Sequence, residues 1–267
     1  MSFQPVIPLG GVAGWEFLKR TRDRQEQSFV ASPIMTQATG SFGGTFSKIR
    51  SAAELVENRQ ALKVVLGAFG LQDDLNNRAF IGKVISDGIS QPDALANRLA
   101  DKRYLSLARE LAHLAPGGSG IAPPGLADSL VSRYQASEFE IAVGDSEENM
   151  RFALAYARRM PEIAGGGRSD AAQWFEILGD PPTRRVIETA LGLPGEFAAL
   201  DIDEQIVRLK AAAGTKFGVT KAADFAGPDM IETVTKRFLL MDQLRQSQAA
   251  MSGASVALTL LSQTGID

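Results

Sequence analysis

"ALKVVLGAFGL", residues 61–71, sets Leu62, Val65, Leu66 and Phe69 at the i, i+3, i+4, i+7 spacing of one helical face. It then closes on Gly70-Leu71. Glycine accepts the left-handed backbone that ends a helix, and an apolar residue after it folds back on the last turn. The stretch therefore predicts a buried helix with its stop. "TRRVIETALGL", residues 183–193, ends the same way on Gly192-Leu193. Residues 51–71 lie over 173–193 without a gap, with Glu54/Glu176, Val64/Val186, Ala68/Ala190, Gly70/Gly192 and Leu71/Leu193 identical. This pairing predicts two similar helical halves from an internal duplication, stacked by their apolar faces.

Helical punctuation continues along the chain. Pro suits the first position of a helix, where its missing N–H needs no partner. That places helix starts at Pro33, Pro92, Pro181 and Pro228, with Ser32 and Asp180 as side-chain caps. Ile202, Ile206, Leu209 and Ala213 form a second stripe. The best strand signal, "FEIAV" at 139–143, is short. The reading is an all-α, multihelical protein. Its expected helices are 12–29, 33–49, 51–57, 59–69, 73–86, 92–99, 102–114, 126–141, 146–160, 169–178, 181–191, 202–213, 228–246 and 250–262. Pro and Gly concentrate in "APGGSGIAPPG", 115–125, which reads as the hinge between halves. The expected organisation is a helical or flexible segment at 1–44, one helical unit at 45–115, a second at 126–246 packed on the first, and an amphipathic tail at 247–267.

Composition narrows the classes of function. A chain of 267 residues, 45% apolar and 22% charged, can bury ~75% of its unfolded surface without staples. There is no cysteine, which removes disulfides and thiol nucleophiles. The net charge of −3 offers no basic face for nucleic acid. No run approaches the ~18 apolar residues of a membrane span, and the start lacks the basic region of a secretory signal.

Catalytic constellations are mostly missing. His113 is the single histidine. The helical wheel sets it with Ser106, Arg109 and Glu110, opposite Tyr104, Leu107, Leu111 and Leu114, and predicts a surface position near a helix C-terminus. Asp73/Asp74 and Asp201/Asp203/Glu204 are the acid clusters from which a general acid and base, or a metal site, could be built. Both fall at expected helix starts, where acids favour the dipole, so capping is the preferred reading. The loops 115–125 and "AGGGRS" (164–169) lack the Lys-Ser/Thr of a phosphate cradle and read as linkers, with Ser169-Asp170 as a cap. Lys19, Arg20, Arg22 and Arg24 are interrupted by Asp23 and Glu26, as on a solvated face. Trp15 and Trp174 read as packing residues. No catalytic, cofactor or metal residues are assigned.

Two segments suggest interaction. Residues 12–29 carry Val12, Trp15, Leu18 and Phe29 around a polar stretch that cannot bury much unaided. "MSGASVALTLLSQTGI" sets Ala254, Leu258 and Leu261 on one stripe, with Val256 and Leu260 beside it. Such a tail folds on its own domain or enters a partner's groove.

Longer stretches carry a family resemblance. "SAAELVENRQALKVVLGAFGLQDDLNNRAFIGKVISDG", "NRLADKRY", "ENMRFALAYARRMPEIA", "WFEILGDPPTRRVIETALGLP" and "ALDIDEQIVRLK" occur in order between about 45 and 245. The chain so resembles the alphaproteobacterial domain-of-unknown-function family 1217. The resemblance implies a multihelical fold and a gene often placed beside flagellar genes; it brings no catalytic residues with it. The expected function is therefore a non-enzymatic, flagellum-associated structural or assembly factor working through protein–protein contacts with flagellar or export components. It would be cytoplasmic or exported by the flagellar type III route. The alternatives are an acid-dependent or metal-dependent enzyme using Asp73/Asp74 and Asp201/Asp203, and a cytoplasmic regulator or chaperone.

Overall fold

The computed structural model describes the backbone of residues 3–165 and 167–263, and side chains within that range up to Gln248. Every regular element among the described residues is helical, and the fold is all-α and multihelical. The order is α1 (Gly11–Val30), α2 (Pro33–Thr39), α3 (Phe42–Phe46), α4 (Ala52–Glu57), α5 (Arg59–Ala68), α6 (Arg78–Asp87), α7 (Leu95–Arg98) and α8 (Arg103–Glu110). It continues with α9 (Leu126–Gly144), α10 (Glu148–Ala164), α11 (Asp170–Leu178), α12 (Pro181–Leu191), α13 (Ile202–Phe217) and α14 (Pro228–Gln263). Four 3-10 turns lie between them, at Gln72–Asn76, Ala112–Leu114, Gly195–Ala199 and Ala222–Ala226. The "FEIAV" stretch is helical, inside α9.

Both Gly-Leu endings close their helices by the same bonds. The Leu71 N–H donates to the Leu66 carbonyl at 2.8 Å and the Gly70 N–H to Gly67 at 3.0 Å. The Leu193 N–H donates to Glu188 and the Gly192 N–H to Thr189, both at 3.0 Å. This is the crossed pair of the Schellman stop, with φ of +71° at Gly70 and +74° at Gly192. The starts match too: Asn58 caps α5 by accepting from the Ala61 N–H, and Asp180 caps α12 by accepting from the Thr183 N–H.

Elsewhere local chemistry overrides the expected boundaries. Residues 33–49 break into α2 and α3 at the Gly40–Ser41 step. Pro92 opens no helix: residues 91–93 turn, and α7 starts at Leu95, where Asp87 accepts from the Leu95 N–H at 3.4 Å. The expected helix 73–86 splits into a 3-10 turn and α6. Ser32 stands at an N-cap position, yet its side chain caps nothing. The two helices expected at 228–246 and 250–262 are one, α14, whose backbone runs helical through Ser247 and Ser252-Gly253 with no proline after Pro228 to end it. The stripe of Ala254, Val256, Leu258, Leu260 and Leu261 lies outside the described side chains.

Two hydrophobic cores result. The first gathers α2–α8 and the start of α9 around Phe46, Leu55, Leu62, Leu66, Ile81 and Tyr134. The second gathers α1, the rest of α9 and α10–α14 around Leu18, Phe139, Tyr156, Trp174, Phe225 and Phe238. Leu114 and Leu126, at either end of the 115–125 loop, are both buried in the first core. The chain passes between cores inside α9, between Tyr134 and Phe139. At Gly67 an added Cβ would stand 2.5 Å from the Tyr134 ring, so α5 and α9 meet closely because that residue has no side chain.

Gly70→Ala and Gly192→Ala should each destabilise by about 1–2 kcal/mol, the strain of an L-residue in the left-handed region. At Gly192 an added methyl meets only Met241 at 3.6 Å, so strain rather than collision is what urea unfolding reads there. The sites belong to separate cores, so the double variant should show the sum within about 0.5 kcal/mol.

Candidate functional site

The residues singled out by sequence are dispersed. Asp73 and Asp74 lie in the 3-10 turn after α5, where Asp74 accepts from the Tyr104 hydroxyl and from the Asn77 side-chain amide. Burial and that carboxylate push the Tyr104 hydroxyl's pKa up. Asp201, Asp203 and Glu204 stand at the start of α13, and Glu204 pairs with Arg208 at 2.5 Å. None of the clefts described below is lined by either acid cluster. Among the described residues no three His, Asp or Glu side chains are grouped to hold a metal ion. Trp15 and Trp174 are buried in the second core. Lys19 pairs with Glu16 and Glu232, and Arg22 with Glu26. The apolar side of α1 is consumed within the fold, with Leu18 fully buried.

His113 departs from its expected surface position. Both ring nitrogens are closed off from solvent without a hydrogen-bond partner, and the ring stands edge-on to Phe46 at 6.2 Å. The reason is local. After Glu110 the chain tightens from α to 3-10 winding, which rotates His113 away from the face an α-helical wheel assigns it. Burial lowers its pKa below the ordinary histidine value.

The concentrated chemistry lies where the two cores meet, and it consists of arginines. A cleft of about 340 Å³ is lined by Arg109, Arg133 and Arg168 against Glu110, Glu162 and Glu176. Arg133 binds Glu110 at 2.5 Å, approaches Glu162 at 3.7 Å and lies over the Phe69 ring. Arg109 and Arg168 meet Glu176 from two sides, at 3.4 and 3.2 Å. Deeper, Arg158 forks onto Glu140 with bonds of 2.6 and 2.9 Å. Arg159 is paired with Asp180, and that pair is almost wholly buried. Arg103 holds Asp101 and donates to the Gly70 carbonyl, so the first Gly-Leu stop is tied into the same lattice. The Lys102 N–H donates to the Gly179 carbonyl at 2.6 Å, a main-chain link between the units.

Burial acts to discharge Arg158, and the bonded Glu140 carboxylate more than reverses this, raising its pKa. Arg103 behaves likewise with Asp101. Arg158 and Arg103 are thus held in the cationic form by the carboxylates they bind. Ser106 is the one hydroxyl among the described residues lining the arginine cleft, and no base lies bonded to it. The arrangement can hold charge and fix geometry; it contains no nucleophile–base pair. Sequence reasoning passed over these arginines. The available signal was "ALAYARRMPE", two adjacent cations inside an otherwise apolar helical stretch.

A second surface lies along α14. Leu240 and Leu244, one turn apart, are 52% and 54% exposed. Beside them a groove of about 520 Å³ runs between α12 and α14, floored by Leu193, Pro194 and Met241 and edged by Arg185 and Arg245.

Asp180→Ala should destabilise by about 3–5 kcal/mol in urea unfolding, since it strands the buried Arg159 and removes the α12 cap together. Asp180→Asn with Arg159→Met should cost less than the two single changes added. For His113 the lowered folded pKa means that the unfolded chain binds the proton more readily. Its contribution is complete above about pH 6.5 and is lost as pH falls from there toward the folded value. His113→Phe should flatten that part of the loss in urea midpoints measured from pH 7.5 to 5.

The fold is similar to the X-ray crystal structure of a protein from Agrobacterium tumefaciens, an alphaproteobacterium, with a TM-score of 0.72. The likeness covers 91% of this chain and 99% of that one at 21% identity, and it is a likeness of fold. Among curated proteins none matches the chain. The family described as protein of unknown function (DUF1217) matches residues 68–231, from the end of α5 through the arginine junction into the first turn of α14. With more than half of its length inside that match, the chain belongs to the DUF1217 family.

Proposed function

We propose that the protein is non-enzymatic and works by protein–protein contact, as a structural or assembly factor of the flagellum, engaging its partner through the outer part of α14. The observation that carries the contact surface is the exposed pair Leu240 and Leu244 beside the α12–α14 groove. Monomeric proteins rarely leave large apolar side chains adjacent on one helical stripe without use. The backbone of α14 runs unbroken to Gln263. In sequence, Leu240, Leu244, Ser247, Met251, Ala254, Leu258 and Leu261 keep the alternating four-and-three spacing of a helix-pairing seam. The flagellar assignment rests on the family resemblance and its gene neighbourhood, and it supports a cytoplasmic or type III-exported protein. Among the described residues no helix is long and apolar enough to cross a membrane.

The recurrence of capped helix, Gly-Leu stop, 3-10 turn and helix at 58–87 and 180–217 supports an internal duplication beneath this architecture. No specific contact favours an acid-dependent enzyme.

Affinity capture from motile cells tests the reading. The full chain should recover a flagellar or export component, a chain truncated after Gln246 should lose it, and a deletion strain should swim poorly. Recovery of no such component, with normal swimming in the deletion strain, refutes it.

A further inference from the structure

Next to the arginine cleft, sharing Phe69 and Arg159 with it, a cavity of about 30 Å³ opens among Arg103, Arg151, Arg158, Glu140 and Gly70. It has room for one or two water-sized bodies. Its walls come from the stop after α5, from α8, α9 and α10, and from the start of α12, so both cores contribute. Arg158 spends Nε and Nη2 on Glu140, and its Nη1 is buried with no partner. Arg103 is engaged by Asp101 and the Gly70 carbonyl, and Arg159 by Asp180 through Nε. Arg151 is in no ion pair among the described residues. Of the four guanidinium groups around the cavity, three are held by carboxylates and Arg151 alone has none paired with it among the described residues.

A buried polar donor needs a partner and a buried excess charge needs an opposite one. A water molecule would satisfy Arg158 Nη1 but leave the charge. A small anion does both, through charge-assisted bonds that guanidinium forks form well. We propose that this cavity is a binding site for a monovalent anion of about chloride size, held by Arg158 Nη1 and Arg151, both on α10 where that helix faces the first core. The occupant adds no new contact surface; it satisfies Arg158 Nη1 and offsets the charge of Arg151 on α10 at the junction, and so makes the junction's stability depend on the anion.

The test is thermal unfolding of the full chain in sodium chloride and in sodium gluconate at matched ionic strength, gluconate being too bulky to enter. Chloride should raise Tm by about 2–4 °C, saturating with concentration as site binding does. In Arg151→Gln, half the effect should require about tenfold more chloride, the factor that follows from losing a direct charge partner. Equal Tm values across the two salts overturn the proposal and leave the cavity to water. An unchanged chloride response in Arg151→Gln also overturns it, because the anion then binds elsewhere. Should that variant fail to fold, crystals of the unaltered chain grown with bromide decide. An anomalous peak within hydrogen-bond reach of Arg158 Nη1 supports the site, and a map without one there removes it.

Discussion

Tyr134 and Phe139 stand little more than one turn apart on α9, yet each is buried in a different core. An uninterrupted helix does not bend sharply without a Pro, a bulge or an inserted group, and α9 has no proline. The two cores are therefore joined by a rod and not by a hinge. Gly67 lets α5 come close against Tyr134 on one side of the crossing. Phe29 of α1 meets Phe139 edge-on at 5.7 Å on the other. Everything that faces across the junction inherits its spacing from this rod.

That fixed spacing explains why the junction is built from arginine and carboxylate. Between the two apolar cores lies a region lined largely by long charged side chains. Arginine fills it by burying its stem and holding its head at a partner carboxylate. Such pairs contribute little net stability, because desolvation offsets their attraction, but losing one partner is expensive. The lattice thus punishes any displacement of α10 relative to α9 and α12, whose carboxylates are Glu140 and, at the cap of α12, Asp180. Asp180 does this while also holding the Thr183 N–H, so one carboxylate sets both where α12 begins and how it sits on α10.

The architecture was legible in the sequence wherever a local rule acts alone. Gly70-Leu71 and Gly192-Leu193 signal their stops because the left-handed turn and the returning apolar residue are adjacent in the chain. Asp180-Pro181 signals its start for the same reason. His113 misled because a helical wheel assumes α winding, whereas the chain tightens to a 3-10 turn after Glu110 and sets the ring against Phe46. Pro92 misled because a proline marks turns as well as helix starts. The arginine junction was hidden for a different reason. Arg103, Arg109, Arg133, Arg151, Arg158, Arg159 and Arg168 are spread over three helices and a loop, and each reads singly as an exposed cation. Only the tertiary fold brings them together, and short-range periodicity has no term for that.

The same distinction separates the two surfaces. The family match ends at 231, so it contains the junction and stops before Leu240 and Leu244. α14 extends over 36 residues, about 54 Å at the rise of an α-helix. Its first half is anchored, with Val234, Phe238 and Leu239 buried in the second core. On its opposite face, starting at the next residue, it presents Leu240 and Leu244 to solvent. A helix fixed at one end carries the orientation of the core along its axis, so whatever meets Leu240 and Leu244 is oriented by the core. The junction therefore matters to any docking role indirectly, since it sets the direction in which α14 leaves the body. Loosening α10 would redirect the far end of α14 without touching a residue on it, because α14 packs on α10 and α12 alike.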